Sequence, residues 1–425
     1  MPIFLFIALI LLILVGVPIA LSLLVSSGFS LLFFTDTEPV AIIQRMFVSI
    51  DSFTLMALPF FMIAGGVFEK GGVSKRLVDF ANSLVGGMHG GLAIVAFIAS
   101  AFFGAISGSS TATVIAIGAL VLPTMLKEGY DLKFSITTLA TAGILGTIIP
   151  PSIPMITYGV TTGASIGDLF AGGIIPGIML TTIMSCYAYY YGKKNIQNTF
   201  SFSIKNVFTT FKSAIWALLM PVIIIGGIYS GIFTPTESAV VAIFYGLVIS
   251  IFLYKEMTFN KFIDLMKNAI VNSSMILFIV GAAGAFGFVM TKAQIPLMMS
   301  DLILSITDNP ILLLLLINVL LLIVGMFLET NAAILIVAPI LLPIVTELGV
   351  DPVHFGIVMI VNLSIGLITP PLGVNLFVAT RLHNNVRTTD VLNKHLVIYI
   401  ALGLVVLLLI TYLPILVMLL PNLLG

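Results

Sequence analysis

Apolar residues run through this chain in long continuous stretches separated by short polar turns. A helix needs about 20 apolar residues to cross a bilayer. The stretches fall at 2–16, 18–34, 54–68, 91–126, 134–160 and 164–191, then at 214–233, 236–254, 272–290, 310–346, 355–380 and 396–420. They do not alternate, so they predict helices and not the ~10-residue polar/apolar strands of a barrel. Two stretches are too long for a single span and carry a polar centre: GAISGSST at Gly104–Thr111 and GMFLETNA at Gly325–Ala332. Each reads as a re-entrant hairpin of two half-helices. Two others are broken by a double proline, GTIIPPSIP at Gly146–Pro154 and GLITPPLGV at Gly366–Val374. Proline inside a helix removes a backbone donor and costs about 3 kcal/mol. The groups it frees are tolerated at membrane depth only against protein or a water-filled cavity.

The two halves repeat. At an offset of 220, Leu122 and Pro123 match Leu342 and Pro343, and Gly129 and Asp131 match Gly349 and Asp351. Gly146, Ile148, Pro150 and Pro151 match Gly366, Ile368, Pro370 and Pro371. The first repeat covers 1–200, with its hairpin at 91–126 and broken helix at 134–160. The second covers 213–425, with its hairpin at 310–346 and broken helix at 355–380. A linker at 201–212, within the polar run from Gly192 to Asn206 and on to Lys212, joins them. Five crossings and one hairpin per repeat would invert the second repeat relative to the first. The expected fold is an all-α polytopic membrane protein with inverted repeats, about ten to twelve membrane segments plus two hairpins.

Composition agrees: 60% of residues are hydrophobic and 8% charged, against about 25% charged in soluble domains. Charge then sets orientation. With the linker in the cytoplasm, every one of the 17 Lys and Arg residues except Arg45 and Lys292 falls on the cytoplasmic side, as the positive-inside rule requires. Both termini are then periplasmic. The N-terminal stretch lacks a basic leader and is expected to be a retained span. One cysteine, Cys186, excludes an internal disulfide or a multi-cysteine metal site. The sequence contains no HExxH, Walker loop, nucleophile elbow or dinucleotide fingerprint, which argues against an enzyme or an ATP-driven pump.

Inverted repeats with discontinuous helices are the pattern of secondary transporters. Freed carbonyls suit Na⁺, and freed N–H groups suit a carboxylate. Each hairpin tip should meet the break of its own repeat. Ser107, Gly108, Ser109 and Ser110 with Gly146, Ile149 and Pro150 form a candidate first Na⁺ site. Gly325, Glu329, Thr330 and Asn331 with Gly366, Thr369 and Pro371 form a candidate second. Oxygen ligands with little formal charge fit Na⁺ better than a divalent ion. The substrate should lie between the tips, with Ser109, Thr113, Ser152, Lys292, Glu329 and Asn331 as candidate contacts. Thr113 and Ser152 have helix packing as their plainer role, and Lys292 has snorkelling. Glu329, a carboxylate at mid-membrane, reads either as functional or as the cap of the second half-helix through Thr330 and Asn331. An H⁺-coupled anion transporter or ion exchanger using Glu329 is the alternative to Na⁺ coupling.

Other features read locally. Thr234, Pro235 and Glu237 form a capping box. Trp216 and Tyr189–Tyr191 read as interfacial anchors. Lys261–Ile270 and Val73–Leu84 read as amphipathic surface helices.

The runs GAISGSSTATVIAIG, GTIIPPSIPMITYGV, GGIYSGIFTPTESAVVA, GIVMIVNLSIGLITPPLGVNLFV and the ending ITYLPILVMLLPNLLG resemble the large membrane subunit of TRAP transporters, the DctM type, over essentially the whole chain. The resemblance implies an elevator-type secondary transporter of a bacterial or archaeal inner membrane, taking up an organic acid with Na⁺. It implies two partners, a small four-helix membrane subunit on a separate polypeptide and a periplasmic binding protein. It places Ser107–Ser110 and the two Pro-Pro breaks in the Na⁺ and substrate regions. Sialic-acid members often carry an Asp where this chain has Thr113, whereas SGSSTATV is close to the SGSSPATV of dicarboxylate members. C4-dicarboxylates are therefore the favoured substrate, and sialic acid next.

Overall fold

A computed structural model describes residues 1–196, 203–295, 298, 309–384 and 386–424; linker residues 197–202 and Gly425 lie outside this set. The described chain is helical throughout. The first half contains α1 (Pro2–Leu14), α2 (Ile19–Phe34), α3 (Val40–Ile50), α4 (Ala57–Lys70), α5 (Val73–Val85), α6 (Gly91–Ser107), α7 (Ser110–Lys127), α8 (Leu132–Gly143), α9 (Leu145–Ile148), α10 (Ile153–Thr162) and α11 (Ile166–Asn195). The second contains α12 (Ile204–Tyr229), α13 (Pro235–Val248), α14 (Phe259–Lys292), α15 (Pro310–Phe327), α16 (Thr330–Glu347), α17 (Pro352–Gly366), α18 (Val374–Thr380), α19 (Thr388–Val391), α20 (Lys394–Tyr412) and α21 (Ile415–Leu424).

Among the described residues, nine helices are long and apolar enough to span a membrane, or up to ten if α8–α9 and α10, bent by 41°, count as one. Three of the nine (α7, α15 and α16) are hairpin arms, and shorter apolar helices such as α1, α2 and α17 complete the set.

The 220-residue repeat is built into the backbone. Gly129 and Gly349 both take positive φ, +82° and +77°, and end the second hairpin arm of their repeat. The same hydrogen bonds close both ends, Tyr130 N–H to Met125 O and Val350 N–H to Val345 O. Asp131 and Asp351 then cap α8 and α17. Both arms carry their matching proline, Pro123 and Pro343, inside the helix. Both Pro-Pro bonds, Pro150–Pro151 and Pro370–Pro371, are cis.

The repeats are inverted. Asn393, which caps α20, donates to Thr137 Oγ1 at 2.8 Å, so α20 starts beside the base of the first hairpin. At its other end Tyr412 donates to Ile311 O at 2.9 Å, at the base of the second hairpin. The 19 residues of α20 rise about 28 Å, close to the apolar thickness of a bilayer. The hairpins therefore enter from opposite ends.

The helices pack in two groups. One, the wall, joins α1–α4 with α12–α14. The other, the interlocked unit, joins α6–α11 with α15–α21, and α5 bridges them by packing on both α6 and α12. In the second group the repeats interlock: α10 lies on α16, and α18 lies on α7 and α8. Thr147 and Ser364 share a hydrogen bond of 2.8 Å across this seam, and Asn375 Nδ2 donates to Ala140 O at 3.3 Å.

The chain is helical from Ile204, because the segment up to Pro221 contains no breaker and its apolar face packs on α5. Two expectations need correction. Lys261–Ile270 is the first part of the 34-residue α14 and not a separate surface helix; no proline or glycine interrupts it before Gly281. Tyr191 is no interfacial anchor: its ring stacks on Phe134 at 3.5 Å between centroids, while Tyr190 and Trp216 stay exposed. Helix α3 was not expected at all, and it packs against α14. The Thr234–Glu237 capping box is present.

Candidate functional site

The first hairpin turns at Ser107–Gly108–Ser109. Gly108 sits at φ +61°, a conformation that favours glycine, and reverses the chain. Ser109 caps α7 through Ala112 N–H at 3.5 Å. Thr113 Oγ1 ties the turn by donating to Ser109 O at 2.7 Å and sharing a 3.2 Å bond with Ser107 Oγ. This tip lies against the first break. A Cβ on Gly104 would come within 2.8 Å of Gly146 Cα, and one on Gly146 within 2.5 Å of Ser109 O. Ile153 N–H donates to Gly108 O at 3.3 Å, and Ser152 Oγ to Thr147 O at 2.6 Å. Ile149 turns its side chain towards Gly177 of α11, and Pro150 is buried.

The second tip is built alike. Glu329 stands 220 residues after Ser109 and takes the same position, the N-cap of the second arm. Its Oε2 accepts from Asn331 N–H at 2.9 Å and Ala332 N–H at 3.4 Å, and its Oε1 accepts from Asn331 Nδ2 at 2.9 Å. The capping role is thus the geometry present, with Asn331 as partner; Thr330 Oγ1 is buried without a hydrogen bond. Gly325 and Gly366 meet backbone to backbone: a Cβ on Gly366 would lie 2.5 Å from Gly325 C. Thr369 Oγ1 donates to Ile365 O within its own segment, and Pro371 is exposed.

The two tips open on one cavity of about 600 Å³. Ser107–Ala112, Thr147, Ile153 and Pro154 line it from the first repeat, and Glu329 and Asn331 from the second. Thr157 Oγ1 donates to Asn331 Oδ1 at 2.9 Å and joins the repeats beside it. The opposite wall is Met62, Gly65, Gly66, Glu69 and Lys70 of α4 with Leu265, Asn268, Asn272 and Ile276 of α14. The site is therefore a cleft between the two groups of helices, rich in hydroxyls, amides and three helix N-termini, those of α7, α10 and α16.

The structure brings together Ser107–Ser110 with Gly146, and Gly325 with Gly366. Glu329 and Asn331 face the shared cavity instead of lying against Pro371. Thr113 and Ser152 are buried with intramolecular partners and do not line the cavity. Lys292 is excluded from it: the ammonium, at the exposed end of α14, hydrogen-bonds Thr37 Oγ1 in the α2–α3 connection. Snorkelling to the surface keeps that charge in water.

A family described as "Tripartite ATP-independent periplasmic transporter, DctM component" matches residues 6–416. The chain belongs to this family. It is 45% identical over 405 residues to the "Isethionate TRAP transporter permease protein DctMQ" of Oleidesulfovibrio alaskensis, covering 94% of this chain and 63% of that protein. The chain thus spans less than two thirds of that relative's length. It is 40% identical over 405 residues to the "C4-dicarboxylate TRAP transporter large permease protein DctM" of Pseudomonas aeruginosa, covering 95% and 94%. Its fold resembles the crystal structure of the Alcanivorax borkumensis YdaH transporter, with a TM-score of 0.63 at 16% identity over 90% and 88% of the two chains. As a TRAP large permease the chain is a multi-pass membrane transport protein and not an enzyme.

Thr147, Thr157, Ser364, Asn268 and Asn272 went unnoticed in the sequence of this TRAP permease. Hydroxyls at Thr147 and Ser364, each beside a Pro-Pro break, were the one available signal. The α14 amides gave none: Asn268 fell in the run read as a surface helix, and Asn272 at the first position of the apolar stretch 272–290.

Proposed function

We propose that this TRAP permease takes up a small organic anion across a bacterial or archaeal inner membrane by Na⁺ symport, with a C4-dicarboxylate favoured and sialic acid next. The observation that carries the reading is the single cavity lined by both hairpin tips and the first helix break. Carbonyl and hydroxyl oxygens at Ser107–Ser110 with Gly146, Ile149 and Pro150 suit one Na⁺, and those at Gly325, Glu329, Thr330 and Asn331 with Gly366, Thr369 and Pro371 a second. The N-termini of α7, α10 and α16 favour an anion beside them. The names of the relatives, one an isethionate and one a C4-dicarboxylate permease, support a small anion. Under this reading a small membrane subunit packs on the chain, a periplasmic binding protein delivers the substrate, and both termini face the periplasm.

Transport follows by movement of the interlocked unit, α6–α11 with α15–α21, against the wall, α1–α4 with α12–α14. In the conformation described, the cavity reaches Lys70, which the charge distribution assigns to the cytoplasmic side. Proton coupling through Glu329 has less support, because both carboxylate oxygens are already engaged by N–H donors of its own helix start. The test is a thermal-shift titration of the purified chain with NaCl, ionic strength being held by choline chloride. Saturable stabilisation by Na⁺ that Ser109→Ala weakens supports the assignment. Equal stabilisation by K⁺ and choline overturns it.

A further inference from the structure

Helix α14 is 34 residues long and apolar enough to cross a membrane. Leu265, Ala269 and Ser273, spaced four apart, are buried. Ser273 Oγ donates to Met62 Sδ of α4 at 3.5 Å, and Leu265 fills the space above Gly66. These contacts fix the rotation of α14 against α4. Asn268 and Asn272 lie one residue back from Ala269 and Ser273, about 100° round the helix. That rotation turns both amides into the cavity, opposite Ser109, Ser110 and Thr111. Both are exposed there, and neither side chain makes a hydrogen bond among the described residues. They stand about 6 Å apart along the axis, one turn of the helix. Ser110, across the cavity, is 5% exposed. Unpaired amides on a membrane helix are costly unless they meet water or a ligand.

We propose that Asn268 and Asn272 form a substrate-binding pair on the wall, donating hydrogen bonds to the carboxylate or sulfonate oxygens of the transported anion. The inference rests on the uptake reading above. It adds a fixed contact surface to a site otherwise built from hairpin tips and breaks. Each amide offers two N–H donors, and one turn of spacing lets both reach a single anionic head or the two ends of a short diacid. Glu69 and Lys70 at the cavity rim offset each other in charge, so these amides supply the wall's neutral donors.

The test is Na⁺-driven uptake of labelled succinate and of labelled isethionate into proteoliposomes holding the chain with its small subunit and the matching binding protein. Asn268→Ala and Asn272→Ala should each raise the half-saturating substrate concentration about tenfold, the cost of one hydrogen bond to a charged group. The half-saturating Na⁺ concentration should stay within twofold of the wild type. Asn272→Asp keeps the shape and removes the donors, so it should lose uptake while eluting as a monodisperse protein. Asn260→Ala, on the same helix but off the cavity, should behave as wild type. Wild-type uptake with unchanged substrate dependence in the double Ala variant overturns the pair alone. A shift in Na⁺ dependence without one in substrate dependence also overturns it, by making the amides a cation site. Wild-type chain that takes up neither of these anions, nor labelled sialic acid with its own binding protein, overturns the uptake reading and the pair with it.

Discussion

Gly146→Ala tests the join between hairpin and break. A Cβ at residue 146 would lie 2.4 Å from Thr113 Oγ1 and 2.5 Å from Ser109 O. Ordinary contacts of a Cβ begin at 3.4 Å, so the tip must retreat by about 1.0 Å, the difference between 3.4 and 2.4 Å. The two obstructing atoms are bonded to each other at 2.7 Å and move together. Overpacking of this kind typically costs about 1–3 kcal/mol. Under the proposed Na⁺ reading, the bound form needs the Ser109 carbonyl at the break, so the cost falls on it and should weaken Na⁺ about five- to 150-fold. The assay is the melting temperature of the purified chain against NaCl at fixed ionic strength, since a ligand of the folded state raises it with the logarithm of one plus its concentration over its dissociation constant. Gly226→Ala is the control, because a Cβ there meets nothing within 4 Å. Na⁺ half-saturation in Gly146→Ala within twofold of that in Gly226→Ala would refute the argument.

Three further outcomes follow from the same geometry. Glu329→Gln weakens the cap of α16 by about 1 kcal/mol, and uptake should keep the wild-type pH profile; a changed profile would restore proton coupling. Thr157→Val removes the bond to Asn331 and leaves a buried amide oxygen unpaired, at about 1–3 kcal/mol, which thermal melting reads as a loss of stability while Gly226→Ala shows none. Asp390 is held below the ordinary carboxylate range, first by the Arg387 N–H and then by Lys133, whose ammonium is 3.0 Å away. A carboxyl with a lowered folded value stabilises at neutral pH and loses that contribution as pH falls through the folded value. Asp390→Asn should therefore speed tryptic cleavage at Arg381 or Arg387 at pH 7.5, and slower or equal cleavage would remove the ion pair from the account.

Much of the architecture was legible because the repeat is local. Gly129 and Asp131 end one helix and start the next by short-range rules, and the same residue types at 349 and 351 do the same. The hairpin tips and double prolines were legible for that reason too. Contacts between distant segments were not. The bond from Thr157 to Asn331 joins residues 174 apart, and hydrophobicity does not distinguish a threonine that pairs across a seam from one that bonds within its helix. Likewise Lys292 read as a cavity candidate because it ends an apolar segment, whereas its position depends on where α2 and α3 lie. The amides of α14 became visible only once Ser273 and Leu265 fixed the helix's rotation against α4.

The most direct test of the central claim is uptake of labelled succinate, sialic acid or isethionate into proteoliposomes holding this chain and its small subunit. Each substrate is supplied with its own binding protein, under a Na⁺ gradient or a pH gradient. The account predicts uptake of one acid that requires both inward-directed Na⁺ and its binding protein. Uptake driven by pH alone, or proceeding without any binding protein, would contradict it.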